Sequence, residues 1–329
     1  MGTAAAVAGM LVAAVPVSAQ SGPAPEEYVE KLVKAGRSQY KARQLVVYMG
    51  RPQSNAIVEV HSSDAGRFVR AETGPHVTRV WRGPDHGLVS GRGTSFEDLA
   101  PPSVEIESAP MMRKYEVRVG EPARLVDARV VPLELVRRTD KRLVERLWLQ
   151  PDTGMVHRRE LFDPRGRTIG MTTVLDVQYG PPPSPEPLKH GKASPDKVTP
   201  VRSSKAPKTL AYGYDLVRSY RMSAKGRPTD HWVYSDGLHT LSVFRRTGTL
   251  RRPDDYKPVR LGKARGWAGP GPGTWTWEGD KSVWVVVAEE PQLDPSELTK
   301  PLPKGGPSRM ARMGSWWSSG LRWVGDKLP

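Results

Sequence analysis

The chain has 329 residues, with 50 Lys and Arg against 35 Asp and Glu, for a formal net charge of +15. It contains no cysteine, which excludes a disulfide-stapled fold, so its stability depends on buried apolar surface. The positive charge is scattered, with no run of Lys or Arg longer than two residues, which argues against nucleic-acid binding. An acidic protein or an anionic envelope surface is the partner that such a charge favours.

The first residues have the pattern of a secretory signal peptide. Ala4 to Val15 form an apolar run that is too short to span a bilayer, since spanning takes about 20 residues. Val17-Ser18-Ala19 supplies the small residues of a cleavage site, although the usual basic region before the apolar run is missing. We therefore predict a signal peptide over 1–19, cleavage near Ala19 and a periplasmic protein.

The next part of the chain predicts one helix followed by many short strands. Pro25–Tyr40 has the spacing of an amphipathic helix, and Gln44–Met49 and Ile57–His61 form a predicted hairpin. A bulge is expected in Met155–Phe162, where the alternation of apolar residues changes phase. The other strand candidates are 67–71, 77–81, 87–90, 115–119, 123–132, 143–150 and 168–178, separated by Gly, Pro and Asp turns.

A second compact unit is predicted after a linker. Gly180–Thr209 carries eight prolines and almost no large apolar residues, so we assign 181–209 to an inter-domain linker and 25–180 to the domain before it. Residues 210–302 are β-rich. Their strongest local signal is His231–Phe244, where two apolar runs flank Ser235-Asp236-Gly237, a predicted tight turn.

The end of the chain, 303–329, is a basic tail that contains tryptophan. Met310, Met313, Trp317 and Leu321 fall near one face of a short helix. Packing on its own domain, contact with a partner or peripherally with a membrane, and disorder remain open for this tail.

No catalytic motif is recognisable in the sequence. There is no G-x-S-x-G elbow, no P-loop and no G-x-G-x-x-G after a strand, so we expect no enzyme activity, no catalytic residues and no cofactor. His231 and His239 lie on the two arms of the predicted hairpin, and Asp236 lies at its turn, away from both. Two surface histidines are therefore expected here rather than a metal site.

Three motifs together carry a resemblance to a known family. Leu147–Met155 reads LWLQPDTGM, Arg159–Gly166 reads RELFDPRG, and Gly213–Leu216 reads GYDL before the YSDGL of the hairpin. The combination resembles the MucB/RseB family, periplasmic regulators of sigma-E-type anti-sigma factors. The resemblance implies a β-rich α+β fold, in which a LolA-like antiparallel half-barrel with helices is linked to a smaller α+β domain.

The same resemblance implies a function in an extracytoplasmic-function sigma pathway. Such a regulator binds the periplasmic segment of the anti-sigma factor, shields it from proteolysis, and releases it when a lipid or a lipopolysaccharide-like stress ligand binds. The alternative is a LolA-like lipoprotein or lipid carrier, which needs only the half-barrel. A hydrolase is a third hypothesis, for which the sequence offers no recognisable nucleophile. Oligomerisation is open.

Candidate binding residues follow from these expectations. Apolar residues that alternate along predicted strands are candidates for lining a lipid site, with ordinary sheet core as the other interpretation: Val46, Tyr48, Val58, Val60, Val80, Leu147 and Leu149. Residues expected at the surface are candidates for contacts to an acidic partner, with solvated strand charges as the other interpretation: Arg137, Arg138, Arg158, Arg159, Asp236, Arg245 and Arg246.

Overall fold

The computed structural model contains two antiparallel sheets and three α-helices within the part of the chain that it describes. The described residues are 24–49, 54–64, 66–73, 76–82, 87–91, 98–100, 106–182, 197–203, 205–224, 227–250, 256–262, 264–269, 273–290 and 293–303. The predicted signal peptide, the middle of the predicted linker and nearly all of the predicted tail lie outside these residues. No helix among them is long and apolar enough to cross a membrane.

The first sheet has twelve strands, and two helices lie in this part of the chain. Its strand order is β6-β5-β4-β3-β2-β1-β12-β11-β10-β9-β7, with β8 also paired to β9. The elements are α1 (Pro25–Gly36), β1 (Tyr40–Tyr48), β2 (Ser54–Ser63), β3 (Gly66–Thr73), β4 (His76–Arg82), β5 (Gly87–Gly91), β6 (Asp98–Ala100), α2 (Ser108–Lys114), β7 (Tyr115–Val119), β8 (Ala123–Leu125), β9 (Ala128–Arg137), β10 (Leu143–Leu149), β11 (Val156–Phe162) and β12 (Thr168–Tyr179).

Helix α1 forms where the sequence predicts it but ends earlier. Pro25 begins the helix and two glutamates lie in its first turn, where the positive end of the helix dipole favours them. The helix ends at Gly36 rather than Tyr40, because Tyr40 is buried as the first residue of β1. Tyr28, Val29 and Leu32 pack against the apolar face of the strands around Leu133 and Leu147, so α1 covers that face.

The turns of the first sheet agree with their sequence signals. Gly154 ends the Pro151–Gly154 turn between β10 and β11 with a φ of +73°, which favours glycine. A Cβ at Gly154 would lie 2.8 Å from Lys31 Cβ, so this turn also needs glycine to pack on α1. The predicted bulge in β11 is confirmed, since the consecutive residues Trp148 and Leu149 of β10 pair with Arg158 and Val156, which leaves His157 as the extra residue of β11.

The second sheet has eight strands in the order β13-β14-β15-β16-β20-β19-β18-β17. Its first strand lies within the stretch that the sequence assigns to the linker. The elements are β13 (Lys197–Pro200), a short 3-10 helix (Ala211–Gly213), β14 (Asp215–Ala224), β15 (Arg227–Ser235), β16 (Thr240–Thr247), β17 (Lys257–Leu261), β18 (Ala264–Ala268), β19 (Thr274–Gly279), β20 (Ser282–Ala288) and α3 (Pro295–Leu298).

Tryptophan dominates the core of the second sheet. Trp232, Trp277 and Trp284 are almost completely buried, and the last two stack with ring centroids 6.0 Å apart. Leu298 of α3 and Leu302 cover this face, and a smaller cluster around Phe244 forms on the other face. Large aromatic side chains bury much apolar area each, which lets a sheet without disulfides hold together.

The hairpin between β8 and β9 contains a strained valine. Val126 has a φ of +53° and is 90% exposed, so its Cβ is strained without any packing in return. Val126→Gly is expected to raise the free energy of unfolding by about 0.5–1 kcal/mol, measured by urea denaturation. Arg124→Gly, at an exposed position in β8 without this strain, is the matched control and should be destabilising. Equal losses in the two variants would contradict the strain at Val126.

Candidate functional site

The turn between β15 and β16 docks on the first sheet and its helices. The strands end at Ser235 and resume at Thr240, so the turn is 236–239. Asp236 Oδ1 accepts hydrogen bonds from the backbone N–H groups of Leu238 (2.9 Å) and His239 (2.7 Å), which closes the turn. Gly237 accepts a 3.0 Å hydrogen bond at its carbonyl from Glu107 N, just before α2. We call this contact between turn 236–239 and the first sheet with its helices the joint.

Gly237 is required at the joint for two reasons. Its φ is +95°, a conformation that L side chains rarely adopt, and a Cβ there would lie 2.9 Å from Met111 Cα. Next to it, Leu238 packs on the core cluster that contains α1 and α2. The turn is therefore shaped to fit α2 as well as to reverse the chain.

A chain of buried charged groups crosses the joint. Tyr115 OH donates a hydrogen bond to Asp236, and His239 Nδ1 lies 3.5 Å from Asp236 Oδ2. His239 Nε2 donates to Glu145 Oε2 at 2.7 Å, and Arg159 Nε lies 2.5 Å from Glu145 Oε1. The side chains of Asp236, His239 and Glu145 have no exposed surface, so this charge chain runs through the interior.

The charges along the charge chain alternate in sign, and each stabilises the charged form of its neighbours. Burial opposes the charged form of His239, but Asp236 and Glu145 raise its pKa to about 10. Burial also opposes ionised Glu145, and Arg159 with His239 still holds the pKa of that carboxyl below its ordinary value. The pKa of Asp236 is likewise lowered despite burial, through His239 and Tyr115. At neutral pH the joint therefore holds an imidazolium between two carboxylates.

A second set of polar contacts joins the two sheets near Glu290. Arg137 Nη2 donates to Glu290, which also accepts a 3.3 Å hydrogen bond from Tyr214 OH. Arg137 is 4% exposed, and its guanidinium lies 5.0 Å from the ring centre of Tyr212. Arg137 lies in β9 of the first sheet and also pairs with Asp140 of its own β9–β10 turn, while Glu290 and Tyr212 belong to the second part of the chain, so it ties the two parts together.

A cavity of about 300 Å³ lies between α1 and the first sheet, beside the joint. Helix α1 lines it with Leu32 and Ala35, and the second sheet adds Leu238 and Glu289. Glu145 belongs both to this lining and to the charge chain. The remaining lining residues come from the first part of the chain: Gly36, Tyr40, Gln44, Arg67, Ile106, Leu147, Gly154, Met155, Val156, His157, Arg159, Thr172 and Val174.

The predicted lipid-site residues divide between cavity and core. Leu147 lines the cavity, whereas Val58, Val60 and Leu149 are buried in the core clusters and do not line it. Two more, Val46 and Tyr48, are half-buried on β1 and outside the lining. Val80 belongs to β4, and its side chain lies outside the described part of the molecule.

Two of the predicted partner-binding residues are not at the surface. Arg137 is 4% exposed and Asp236 is 0% exposed, so the expectation of exposure is wrong for both, because each binds a group on the other sheet. Arg159 reaches Glu145 at the cavity. The other four keep exposed or half-buried positions on three separate strands or turns: Arg138, Arg158, Arg245 and Arg246.

Both histidines of the hairpin are buried, which corrects the expectation of two surface histidines. His231 stacks on Phe244 at 4.3 Å, and its Nε2 lies 3.0 Å from Ser242 Oγ. His239 is next to Asp236 rather than apart from it, because the turn folds back on itself. Atoms of Asp236, His239 and Glu290 lie within 4.8 Å of one another, a grouping compatible with a metal ion. With His239 protonated, Asp236 and His239 form an ion pair within this grouping.

Sequence reasoning missed Glu145, Tyr115 and Glu290. A signal existed for Glu145, since it has the parity of Leu147 and Leu149 and therefore points to the apolar face of β10. A carboxylate on that face requires a buried partner. No local pattern indicated that His239, 94 residues later, provides it.

The fold of the chain is similar to that of proteins of known structure. No protein-family model matches the chain, and no curated protein matches it. The crystal structure of MucB aligns at 18% identity and a TM-score of 0.50, over 86% of this chain and 98% of MucB. The chain shares the fold of MucB. This likeness covers both sheets and confirms the predicted fold class.

Two further structures hold MucB with a partner. The Pseudomonas aeruginosa MucA/MucB complex aligns at 17% identity and a TM-score of 0.49, over 86% of this chain and 99% of the other. MucB in complex with MucA(peri) aligns at 17% identity and a TM-score of 0.47, over 84% and 97%.

Gly237→Ala is expected to loosen the joint. The added Cβ meets Met111, and the positive φ adds strain, so the free energy of unfolding should fall by about 2–4 kcal/mol in urea denaturation. Gly166→Ala is the matched control, because Gly166 also has a positive φ but an added Cβ there would have no atom within 4 Å. It should lose only about 1–2 kcal/mol. Equal losses of unfolding free energy in the two variants would show that the close contact of residue 237 with α2 contributes nothing to stability.

Replacing His239 is expected to change how stability depends on pH. Its pKa is about 10 in the folded protein and 6.5 ordinarily, so its stabilising charge is fully present below about pH 6.5 and is lost as pH rises through 10. His239→Gln should be less stable than the parent by about 3–5 kcal/mol at pH 6.5, because it leaves two buried carboxylates short of a cation.

The difference in unfolding free energy between His239→Gln and the parent should shrink between pH 6.5 and 10, followed by denaturant titrations at several pH values. His157→Gln is the control. Burial lowers the pKa of His157, so that side chain is already neutral in this window and its difference should stay constant. A pH-independent loss in His239→Gln would contradict the imidazolium.

Proposed function

We propose that this protein is an exported, periplasmic regulator that binds the extracytoplasmic segment of a membrane-embedded anti-sigma factor. In this proposal it shields the segment from proteolysis and releases it when a lipid-type stress ligand binds. The supporting observation is the joint, which fastens a complete second sheet to the first by buried charges. A simple carrier needs only the first sheet.

The comparisons agree with this proposal in one respect. MucB, whose fold the chain shares, has been solved in complex with MucA. The motifs around Asp236 that resemble the MucB/RseB family are also the residues that build the joint. These two facts support a partner of the anti-sigma type for this chain.

Ligand-driven release requires that the ligand site and the partner site influence each other. The cavity offers this link, because Leu238 and Glu145 belong both to its lining and to the joint. A ligand that fills the cavity contacts residues of both sheets. If it binds one arrangement of the sheets better than another, it changes the affinity for the partner by the same coupling free energy.

Partner contacts are proposed at the arginines that remain accessible. Arg138 is exposed, with its Nε 3.2 Å from the carbonyl of Met112 at the end of α2, so it lies next to the joint. Arg158 is half-buried and 2.5 Å from Glu160. Of the two, Arg138 makes no short carboxylate contact among the described residues, which suits it to an acidic segment.

The alternative, a carrier of lipids or lipoproteins, is favoured by one observation. Most of the cavity lining comes from α1 and the first sheet, so a half-barrel alone would supply most of this site. On this alternative the second sheet has no role in binding.

A binding measurement separates the two functions. The periplasmic segment of the anti-sigma factor from the same genome, fluorescently labelled, is expected to bind the parent protein and Gly166→Ala equally. Gly237→Ala should bind it at least tenfold more weakly by fluorescence anisotropy, because the sheets no longer hold their relative position. A parent protein that ignores the segment but extracts lipoprotein from membranes would establish the carrier instead.

Proteolysis of the same segment tests shielding directly. The parent protein should slow cleavage by the site-1 protease at saturating concentration, and added lipopolysaccharide or lipid should restore the rate. Unchanged cleavage in the presence of bound protein would contradict shielding while leaving partner binding intact.

A further inference from the structure

Three buried side chains of metal-binding types meet at the joint. One ligand atom each of Asp236, His239 and Glu290 lies within 4.8 Å of the other two, and all three residues are buried. Carboxylate oxygens and imidazole nitrogens are ligands of divalent metal ions in proteins. In the interior, unlike at the surface, carboxylates this close together need a cation between or beside them. The surroundings of each side chain show which cation fits.

His239 is held in the way that metal-binding histidines are held. Its Nε2 donates to Glu145 Oε2 at 2.7 Å, and the residue is 0% exposed. In metal sites, a carboxylate on one ring nitrogen fixes the ring so that the other nitrogen faces the ion. Here that other nitrogen, Nδ1, lies 3.5 Å from Asp236 Oδ2, which is long for a hydrogen bond. Two ligands of a tetrahedral Zn²⁺ with bonds of about 2.0–2.2 Å lie about 3.4 Å apart.

The two carboxylates are also held by outer groups. Asp236 Oδ1 accepts two backbone N–H groups of its own turn, which leaves Oδ2 on the side of His239. Glu290 Oε1 accepts a hydrogen bond from Arg137, and Oε2 accepts a longer one, 3.3 Å, from Tyr214 OH. Carboxylates that bind metal ions are hydrogen-bonded in this way by residues outside the site. All three side chains are therefore oriented before an ion arrives.

Tyr115 brings a fourth atom to the group. Its hydroxyl binds Asp236 Oδ2 and lies 3.4 Å from His239 Nδ1, so it is within reach of the same point. One nitrogen and three oxygens in the interior suit the closed, four-ligand geometry of structural Zn²⁺ sites. Ca²⁺ takes about 6–8 oxygen ligands, more than the described residues place here.

The charge of the group is compatible with Zn²⁺ in place of a proton. Without metal, His239 is the imidazolium of the charge chain. Zn²⁺ takes the position of the proton on Nδ1, because a ligand nitrogen must give up its proton, and the Nε2 hydrogen bond to Glu145 stays. The exchange adds one positive charge to the joint. The carboxylate of Asp140, 3.2 Å from Arg137, lies on the same network to offset that charge.

The geometry points to a Zn²⁺ site at the joint, formed by Asp236, His239 and Glu290 with the hydroxyl of Tyr115. The ion links the turn 236–239 to β7 of the first sheet and to the residue that follows β20 and its end. It therefore fastens the same contact as the charge chain does. This inference goes beyond the proposed function, and neither depends on the other.

Zinc retention by the full chain, without an affinity tag, tests the site. Because the site is buried, the protein is refolded from urea with Zn²⁺, desalted and analysed for bound zinc by mass spectrometry. The parent should hold about one Zn²⁺ per chain. His239→Gln and Glu290→Gln should bind Zn²⁺ at least tenfold more weakly in competition with a chelating dye.

Two variants outside the group are the matched controls. His61 is a buried histidine bonded to a carboxylate, Glu59, at 2.6 Å, and Glu160 is a buried carboxylate paired with arginines. His61→Gln and Glu160→Gln should bind Zn²⁺ like the parent. Zn²⁺ should also raise the thermal unfolding midpoint of the parent and of both controls, and leave that of Glu290→Gln unchanged.

Co²⁺ in place of Zn²⁺ reports the coordination. Four-coordinate Co²⁺ absorbs visible light far more strongly than six-coordinate Co²⁺, so the parent refolded with Co²⁺ should show intense absorption that Glu290→Gln lacks. A parent that retains no zinc, a six-coordinate Co²⁺ spectrum, parent-like retention in Glu290→Gln, or loss of zinc in His61→Gln would each overturn the inference. If His239→Gln does not fold, Glu290→Gln decides, because glutamine keeps the shape of the side chain and an oxygen that accepts from Arg137.

Discussion

The buried imidazolium of His239 is the interaction on which the arrangement of the two sheets depends. Three fully buried groups, Asp236, His239 and Glu145, carry charges that cost several kcal/mol each to remove from water. They are tolerated because their signs alternate and each lies within hydrogen-bond or ion-pair distance of the next. Separating the sheets would remove the imidazolium partner of the Glu145 carboxylate and would remove Glu145 from the His239–Asp236 pair. The contact therefore selects one relative position of the sheets rather than merely adding stability.

The same residues connect the joint to the cavity. Glu145 binds His239 on one side and lines the cavity on the other, and Leu238 of the turn packs on the core beneath α1. A cavity wall made only of apolar side chains would transmit little of a ligand's effect to the joint, because such a wall adjusts to many ligand shapes. A wall that includes one member of an alternating ion chain has few low-energy arrangements. This is the property that a two-state response to a ligand requires.

Local pattern predicted much of the fold and little of the site. The hairpin at Asp236 and Gly237, helix α1, the β1–β2 hairpin and the bulge in β11 all follow from periodicity and turn chemistry, which act over a few residues. Arg137 and Asp236 were expected at the surface, because charged side chains usually are. Their partners, Glu290 and Tyr115, lie more than 100 residues away in the sequence, and no local signal reports such distances.

By itself the sequence determined the start of helix α1, most of the longer strands of the first sheet, the β-rich class and the turn at Gly237, since these depend on backbone preferences and on the spacing of apolar residues. Only the tertiary structure decided that this turn closes on α2, that His239 is charged in the interior, and that Glu145 belongs both to the charge chain and to the cavity lining. Each of these depends on which groups meet across the two sheets. The free energy of a buried charge is determined by its neighbours in space, and a linear pattern does not contain them.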